Sequence, residues 1–452
     1  MSLRPAVLLC AAAAGCPAQF TLPQVVKQAT ESYPAVRASL EDASAAAAAI
    51  RLARTSYLPR ADFLGQINRA THNNVFGMLL PQAVVPAISG PVLRTNSLGN
   101  VWGSAAGVLV SWEPFDFGLR KANVQTAERT RDRAGAQAEV TRFQVGVAAA
   151  DAFLTLAAAG QAAIASRAGV ERARVFDEVV QTLVKNELRP GADGSRARAE
   201  LALAETQLIR AEQAVEEARA GLAQLLGIPS GSVQIDADRL LREPPPPDLP
   251  AAGVERHPLV LAQSAALEEV RAREKALSRT WYPRFNLQGA TYARGTGVEP
   301  DGTTGGAASG LGPNIQNWGL GLSVTFPALE QPSLRARREV EAGHERAEEA
   351  RYRTVVRELS GELGKARARL EGARRVAAAM PVQLAAAQAA RQQATARYRA
   401  GLTGIAEVAE AQRLLTQTEI DDALARLSVW RATLAVAAAS GDLSDFLRIA
   451  GR

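Results

Sequence analysis

From Gly118 to about Asn186 the chain contains no proline and is built mainly from good helix formers; Leu334 to Ala400 reads the same way apart from the single Pro381. No other feature restricts the fold so severely. A helix of nearly 70 residues runs about 100 Å at ~1.5 Å per residue, whereas helices of globular proteins average near 11 residues. Such rods must pack lengthwise in a coiled-coil-like assembly. The heptads agree: Leu201, Leu208, Val215 and Leu222 recur every seven residues, and Ala204, Ala211, Ala218 and Leu225 fill a second seam position. Further on, Leu415, Val429 and Val436 keep the first seam, with Asp422 breaking it. Alternating large and small seam residues let helices approach closely, and alanine-rich outer faces leave room for neighbours on both sides.

The chain is also written twice. Tyr33-Pro34 is matched by His257-Pro258, and Tyr57-Leu58-Pro59-Arg60 by Trp281-Tyr282-Pro283-Arg284, each 224 residues later. Leu188 is matched by Leu402 and Leu226-Gly227 by Ser440-Gly441, now at an offset of 214. The lost ten residues fall between Arg60 and Gly118, in a Gly/Pro-rich stretch that reads as a loop. Four prolines, Pro244 to Pro247, cannot lie inside a helix and mark the join. Each copy reads as helix, two strands, very long helix, tight turn, long helix. The first helix is expected over Gln24–Ser56 in one copy and Val254–Arg279 in the other. The expected partition is a first repeat over 19–243, a proline linker over 244–250 and a second repeat over 251–452.

The strands alternate. Trp318, Leu320, Leu322, Val324 and Phe326 share one face, with Asn317, Gly319, Gly321, Ser323 and Thr325 on the other; Phe285 and Leu287 oppose Asn286 and Gln288. In the first copy Trp102, Ala106, Val108, Val110 and Trp112 share a parity against Gly103, Gly107 and Ser111, while Phe63 and Ile67 oppose Asp62, Gln66 and Asn68. Strands of about ten residues, apolar on one face and carrying terminal aromatics, suit an outer-membrane barrel, although a half-buried soluble sheet alternates in the same way. Two isolated hairpins supply only four strands, about eight are needed for closure, and no edge may stay open in a bilayer. In a membrane, several chains must therefore pool their strands. Long Gly/Pro/Asn-rich loops over 71–100 and 295–313 favour that reading.

The N-terminus favours it too. Arg4 precedes the apolar run Pro5–Ala14 and a set of small residues, the order of a secretory signal. Cleavage after Ala18 gives a signal peptide of residues 1–18; alternatively Ala13-Ala14-Gly15-Cys16 is a loose lipobox, giving a signal of 1–15 and a lipid anchor on Cys16. Beyond this segment no apolar run reaches the roughly 18 residues of a transmembrane helix, which excludes arrays of such helices. With two cysteines and three histidines, a disulfide-built fold is excluded and no metal cluster is expected. The net charge of +6 is dispersed, Arg and Glu being interleaved along helices, so nucleic acid is not implied. His72, His257 and His344 lie in dissimilar contexts and no nucleophile arrangement or phosphate loop is present, so no enzyme and no cofactor is expected.

These residues resemble a known family, the outer-membrane efflux proteins, TolC-like exit ducts of tripartite pumps and type I secretion systems. The resemblance covers essentially the whole chain after the signal. It is carried by Tyr57-Leu58-Pro59 and Trp281-Tyr282-Pro283 ahead of each strand pair, by Ser111-Trp112-Glu113-Pro114-Phe115-Asp116-Phe117-Gly118 at the first strand-to-helix junction, and most specifically by Tyr398 to Gln412, similar to the family's helix-hairpin tip. It implies a mainly α fold with a membrane β portion: a homotrimer whose duplicated helical hairpins form a periplasmic tunnel and whose four strands per chain share a 12-stranded barrel in outer-membrane lipid. It also implies a periplasmic adaptor (membrane fusion) protein and an inner-membrane pump or ABC transporter as partners, and passive conduction. The second junction, Phe326 to Pro332, lacks the family's Asp-Gly-Gly ending, and the first tip carries Glu187 where a glycine is usual, followed by Arg189-Pro190.

In such proteins acidic rings at the closed periplasmic end favour cations. The corresponding positions are Glu407 and Glu410 in the second tip and Asp193 in the first, Asp193 and Glu407 being related by the same 214-residue offset. Tyr398 matches a family tyrosine that latches the closed state; its usual arginine partner aligns with Thr403, so the latch is absent or built differently. Adaptor contacts are expected at Leu188, Gly401 and Leu402. By spacing alone, acids at a helix turn are only a solvated face, and Asp116 at a strand-to-helix junction is an N-cap rather than a catalytic group. The alternative reading of the whole chain is a periplasmic adaptor or a structural coiled-coil envelope protein.

Overall fold

A computed structural model describes residues 19–73, 96–242, 245 and 253–451. The signal segment with Cys16, most of the first long loop and most of the proline linker lie outside the described residues. In chain order the elements are α1 (Leu22–Ser32), α2 (Pro34–Thr55), β1 (Arg60–Thr71), β2 (Asn100–Phe115), α3 (Leu119–Lys185), α4 (Gly191–Leu226), α5 (Asp238–Arg242), α6 (Pro258–Arg279), β3 (Arg284–Thr296), β4 (Ile315–Thr325), α7 (Gln331–Arg399), α8 (Ile405–Ser440) and α9 (Ser444–Gly451). The long helices thus have 67 and 69 residues, and α7 is continuous through Pro381.

The first expected helix is broken. Pro34 pushes the residue before it out of the helical region, and Tyr33 is extended at ψ 129°, so α1 ends there and α2 begins at the proline. For the same reason α6 starts at Pro258 rather than Val254: His257 precedes it, and its Nδ1 accepts the Leu259 amide at 3.1 Å. Thr21 and Gln24 close a capping box at the head of α1, Gln24 Oε1 accepting the Thr21 amide at 2.9 Å. The duplicated glycines end α4 and α8: Gly227 (φ 68°) and Gly441 (φ 82°) take the left-handed conformation that side chains disfavour.

The chain forms two compact units. One contains residues 43–133 and 265–350. Its centre is a single four-stranded antiparallel sheet in the order β1-β2-β3-β4. The strand pairs are therefore not isolated hairpins, because β2 and β3 pair from Gly103↔Thr296 to Phe115↔Phe285. The register places Phe63, Val108, Thr291 and Trp318 side by side, so the apolar parities of all four strands share one face. That face is bare: Phe63, Ile67, Trp318, Leu320 and Leu322 are each more than 60% exposed. The opposite face carries Gln288, Ala105 and Tyr292, all buried. Gly107 is required there, since a Cβ would lie 2.4 Å from that of Tyr292. β1 and β4 each pair on one side only among the described residues. At the β2–α3 junction Phe117 and Gly118 both have positive φ, and Asp116 accepts the Gly118 and Arg120 amides and the Arg120 guanidinium, buried beside it. Asp116 is thus committed as a cap.

The other unit holds residues up to 42, 134–264 and from 351 onward. Its largest core joins α1, α3, α4, α8 and α9 through Leu22, Phe153, Leu222, Trp430 and Phe446. Burying each such side chain contributes about 1.5–3 kcal/mol. One 18-residue window of α3 has a mean hydropathy of 1.5 and is long and apolar enough by composition to cross a membrane, which corrects the expectation that none is. Alanine raises hydropathy without bulk, and Ala149, Ala150, Phe153 and Leu154 of α3 pack into this core. The heptad seam is real: Leu415, Val429 and Val436 are buried, and Asp422 keeps its place in the seam with its carboxylate paired to Arg426. Asp422 therefore substitutes an ion pair for an apolar contact rather than ending the seam.

Candidate functional site

The two helical hairpin turns, α3–α4 and α7–α8, are built alike. In each, the second residue after the helix takes positive φ and the next residue's amide reaches back five residues. Glu187 has φ 58° and the Leu188 amide donates to the Leu183 carbonyl at 2.9 Å; Gly401 has φ 74° and the Leu402 amide donates to Arg397 at 2.9 Å. Glu187 and Gly401 are again 214 residues apart, which explains why glycine is usual at 187. The geometry projects Leu188 and Leu402 into solvent, 68% and 71% exposed. Gly401 shapes its turn and leaves the neighbouring leucine bare.

Tyr398 lies in the last turn of α7 and is fully buried, in a cluster with Phe176, Val180, Ala197, Ile405 and Val408. Its hydroxyl donates to Asp193 Oδ2 at 3.1 Å. Arg189 donates to the Tyr398 carbonyl and sets its guanidinium 4.4 Å from the centre of the Tyr398 ring. Phe176 meets the ring edge-on at 5.6 Å. The first turn thus holds the second through Arg189 and Asp193. Burial first, and the bond to Asp193 second, push the Tyr398 hydroxyl up to about 12, so it remains a neutral donor. Pro190 does not disturb this arrangement; it is the N-cap of α4, three residues ahead of Asp193, and its carbonyl accepts the Asp193 amide at 3.0 Å.

The other two acids have different partners. Glu407, in the first turn of α8, pairs with Arg397 at 2.9 Å and accepts the Thr403 hydroxyl. Glu410 is the most exposed, its side chain 77% accessible, with Arg413 3.7 Å away. Arg413 itself grips Glu200 by two bonds of 2.7 and 3.1 Å. The structure therefore brings Tyr398 and Asp193 together and gives Glu407 and Glu410 arginine neighbours of their own. Sequence reading missed Arg189, Arg397 and Arg413. Arg189 carried a signal as a departure in the first tip, and Arg413 lies three residues after Glu410 on α8, a spacing the sequence shows; Arg397 and Glu407 lie on separate helices and leave no spacing to find. Thr403, at the position of the usual arginine, serves Glu407 instead.

The fold is shared with solved channels. The chain superposes on the outer-membrane channel OprN with a TM-score of 0.72 and 20% identity, over 93% of this chain and 89% of that one. On CusC, whose structures concern transmembrane channel formation, the score is 0.75 at 14% identity, over 94% and 92%. On the Campylobacter jejuni CmeC outer membrane channel it is 0.73 at 16% identity, over 93% and 85%. No curated protein sequence matches the chain. The sequence pattern of the outer membrane efflux proteins matches residues 25–228 and 249–442. Family and fold are those of passive channels of the outer membrane that extend into the periplasm, not of enzymes. With four antiparallel strands, two long helical hairpins and that match over most of its length, the chain belongs to the outer membrane efflux protein family.

Proposed function

We propose that the chain is the exit duct of a tripartite efflux or type I secretion system, conducting substrates passively from a pump and adaptor through the periplasm and outer membrane. The observation that carries this is the sheet of four strands with a bare apolar face and two edges unpaired among the described residues. A bilayer tolerates no open edge, so β1 of one chain pairs with β4 of the next, and three chains close a barrel of twelve strands, above the minimum of about eight. The two copies, 19–243 and 251–452, then contribute equivalent hairpins to a tunnel of twelve helices, and residues 1–18 (or 1–15, with Cys16 lipidated) direct export. Outer-membrane lipid covers the apolar face. An alternative periplasmic adaptor or structural coiled coil has no use for such a sheet.

The hairpin turns form the periplasmic gate. Tyr398, held by Asp193 and Arg189, latches the two hairpins of one chain together. Glu407 and Glu410 supply the negative field that favours cations, tempered by Arg397 and Arg413. Leu188 and Leu402 are exposed leucines at matched turns, with Gly401 setting the second turn, and suit an apolar adaptor contact. An inner-membrane pump or ABC transporter supplies energy, and no cofactor is used. Single-channel recording of detergent-purified protein in planar bilayers tests this. Small cation-selective currents, with selectivity reduced by Glu407→Gln/Glu410→Gln, are expected. Selectivity unchanged in that variant removes the acids from the gate, and a protein that inserts no channels at all removes the duct.

A further inference from the structure

We propose that the groove between α3 and α7 beside Tyr398 is a binding site for an aromatic carboxylate. The groove has a volume of about 330 Å³, at the lower end of small-molecule sites. One stripe of α3 (Arg172, Val175, Val179) and one stripe of α7 (Arg391, Thr395, Arg399) line it, with Phe176 and Tyr398 beneath.

Its charge is one-sided. Arg172 is neutralised by Glu419 at 2.6 Å, and Glu171 has Arg174 at 3.4 Å. Arg391 and Arg399 have no carboxylate partner among the described residues. Two donors are also unused. The Nε–H of Arg172 and the Nε–H of Arg391 are both buried without an acceptor, one from each helix lining the groove. Arg391 and Arg399, both on α7, leave the groove with positive charge that an anion would neutralise. A carboxylate offers two oxygens in the geometry a guanidinium fork matches. Val175, 58% exposed, and the methyl group of Thr395 offer an apolar wall, and a free guanidinium plane stacks on arenes. An aromatic ring bearing one carboxylate satisfies all of these together. The site belongs to one chain, so it stands or falls independently of conduction.

Isothermal titration of the full-length detergent-purified protein with naphthoate tests the assignment, with naphthamide as the neutral control. One naphthoate per chain is expected, with a dissociation constant below about 1 mM, while naphthamide binds at least tenfold more weakly on the same wild-type protein. Arg391→Gln and Arg399→Gln, checked for unchanged helicity, each weaken naphthoate about tenfold, as loss of a charged bidentate partner predicts. Absence of saturable binding shows a water-filled groove only and overturns the proposal. Equal binding of naphthamide, or full affinity in Arg391→Gln, shows partition into an apolar surface and overturns it too.

Discussion

Replacing Tyr398 by Phe removes one oxygen and nothing else. The ring stays in its buried cluster, Phe176 keeps its edge contact, and Arg189 keeps both the carbonyl bond and the ring. What is lost is the 3.1 Å bond to Asp193. A hydrogen bond to a charged group contributes about 1.5–3 kcal/mol. Asp193 is only half-buried and regains water, so the lower end, about 1.5 kcal/mol, applies. In the proposed trimer three such bonds hold one gate, about 4.5 kcal/mol together, or roughly a thousandfold shift toward the open state at ~1.4 kcal/mol per decade. The assay is the open-to-closed ratio of single channels at neutral pH. Alkali should do the same without mutation. The held hydroxyl titrates near 12 and a free tyrosine near 10, so the released state binds fewer protons between these values, and the latch weakens as pH rises above about 10. An open-to-closed ratio in Tyr398→Phe within threefold of wild type refutes the reasoning.

Three further outcomes are expected. Glu187→Gly relieves a left-handed side-chain residue and stabilises the first turn by about 1 kcal/mol, read as a raised midpoint in denaturant. Gly441→Ala destabilises by at least about 1–3 kcal/mol by the same measurement, because φ is 82° and the new Cβ would lie 2.5 Å from the His257 Cα. His257 is buried, donates from Nε2 to the Ala438 carbonyl at 3.1 Å and accepts the Leu259 amide on Nδ1, and burial lowers its pKa. The unfolded chain therefore binds more protons as pH falls below about 6.5, so its stabilising contribution is complete above that pH and is lost through the lowered value. A His257→Gln variant should lose that part of the slope of stability against pH.

Much of the fold was legible because it is local. Helix formers without proline make α3 and α7, alternation makes the strands, and the repeated Leu-Gly and Ser-Gly at 226–227 and 440–441 close two helices. The misreadings come from local signals too: Tyr33-Pro34 breaks a run of helix formers, and alanine gives α3 a membrane-like hydropathy while its side chains build a core. Asp422 looked like a break in the seam and is one of its buried members, since Arg426 one turn on neutralises it.

The sequence by itself determined the long rods, the two-face strands, the duplication and the tight turns, because each depends on residues within a few positions or on an offset that recurs. Tertiary structure alone decided that β2 joins β3 into one sheet, that Arg189 grips Tyr398 across 209 residues, that Glu407 faces Arg397 and that Arg413 reaches Glu200 on another helix. Those pairings depend on which faces meet in space, and a charge carries no mark of the partner that will neutralise it.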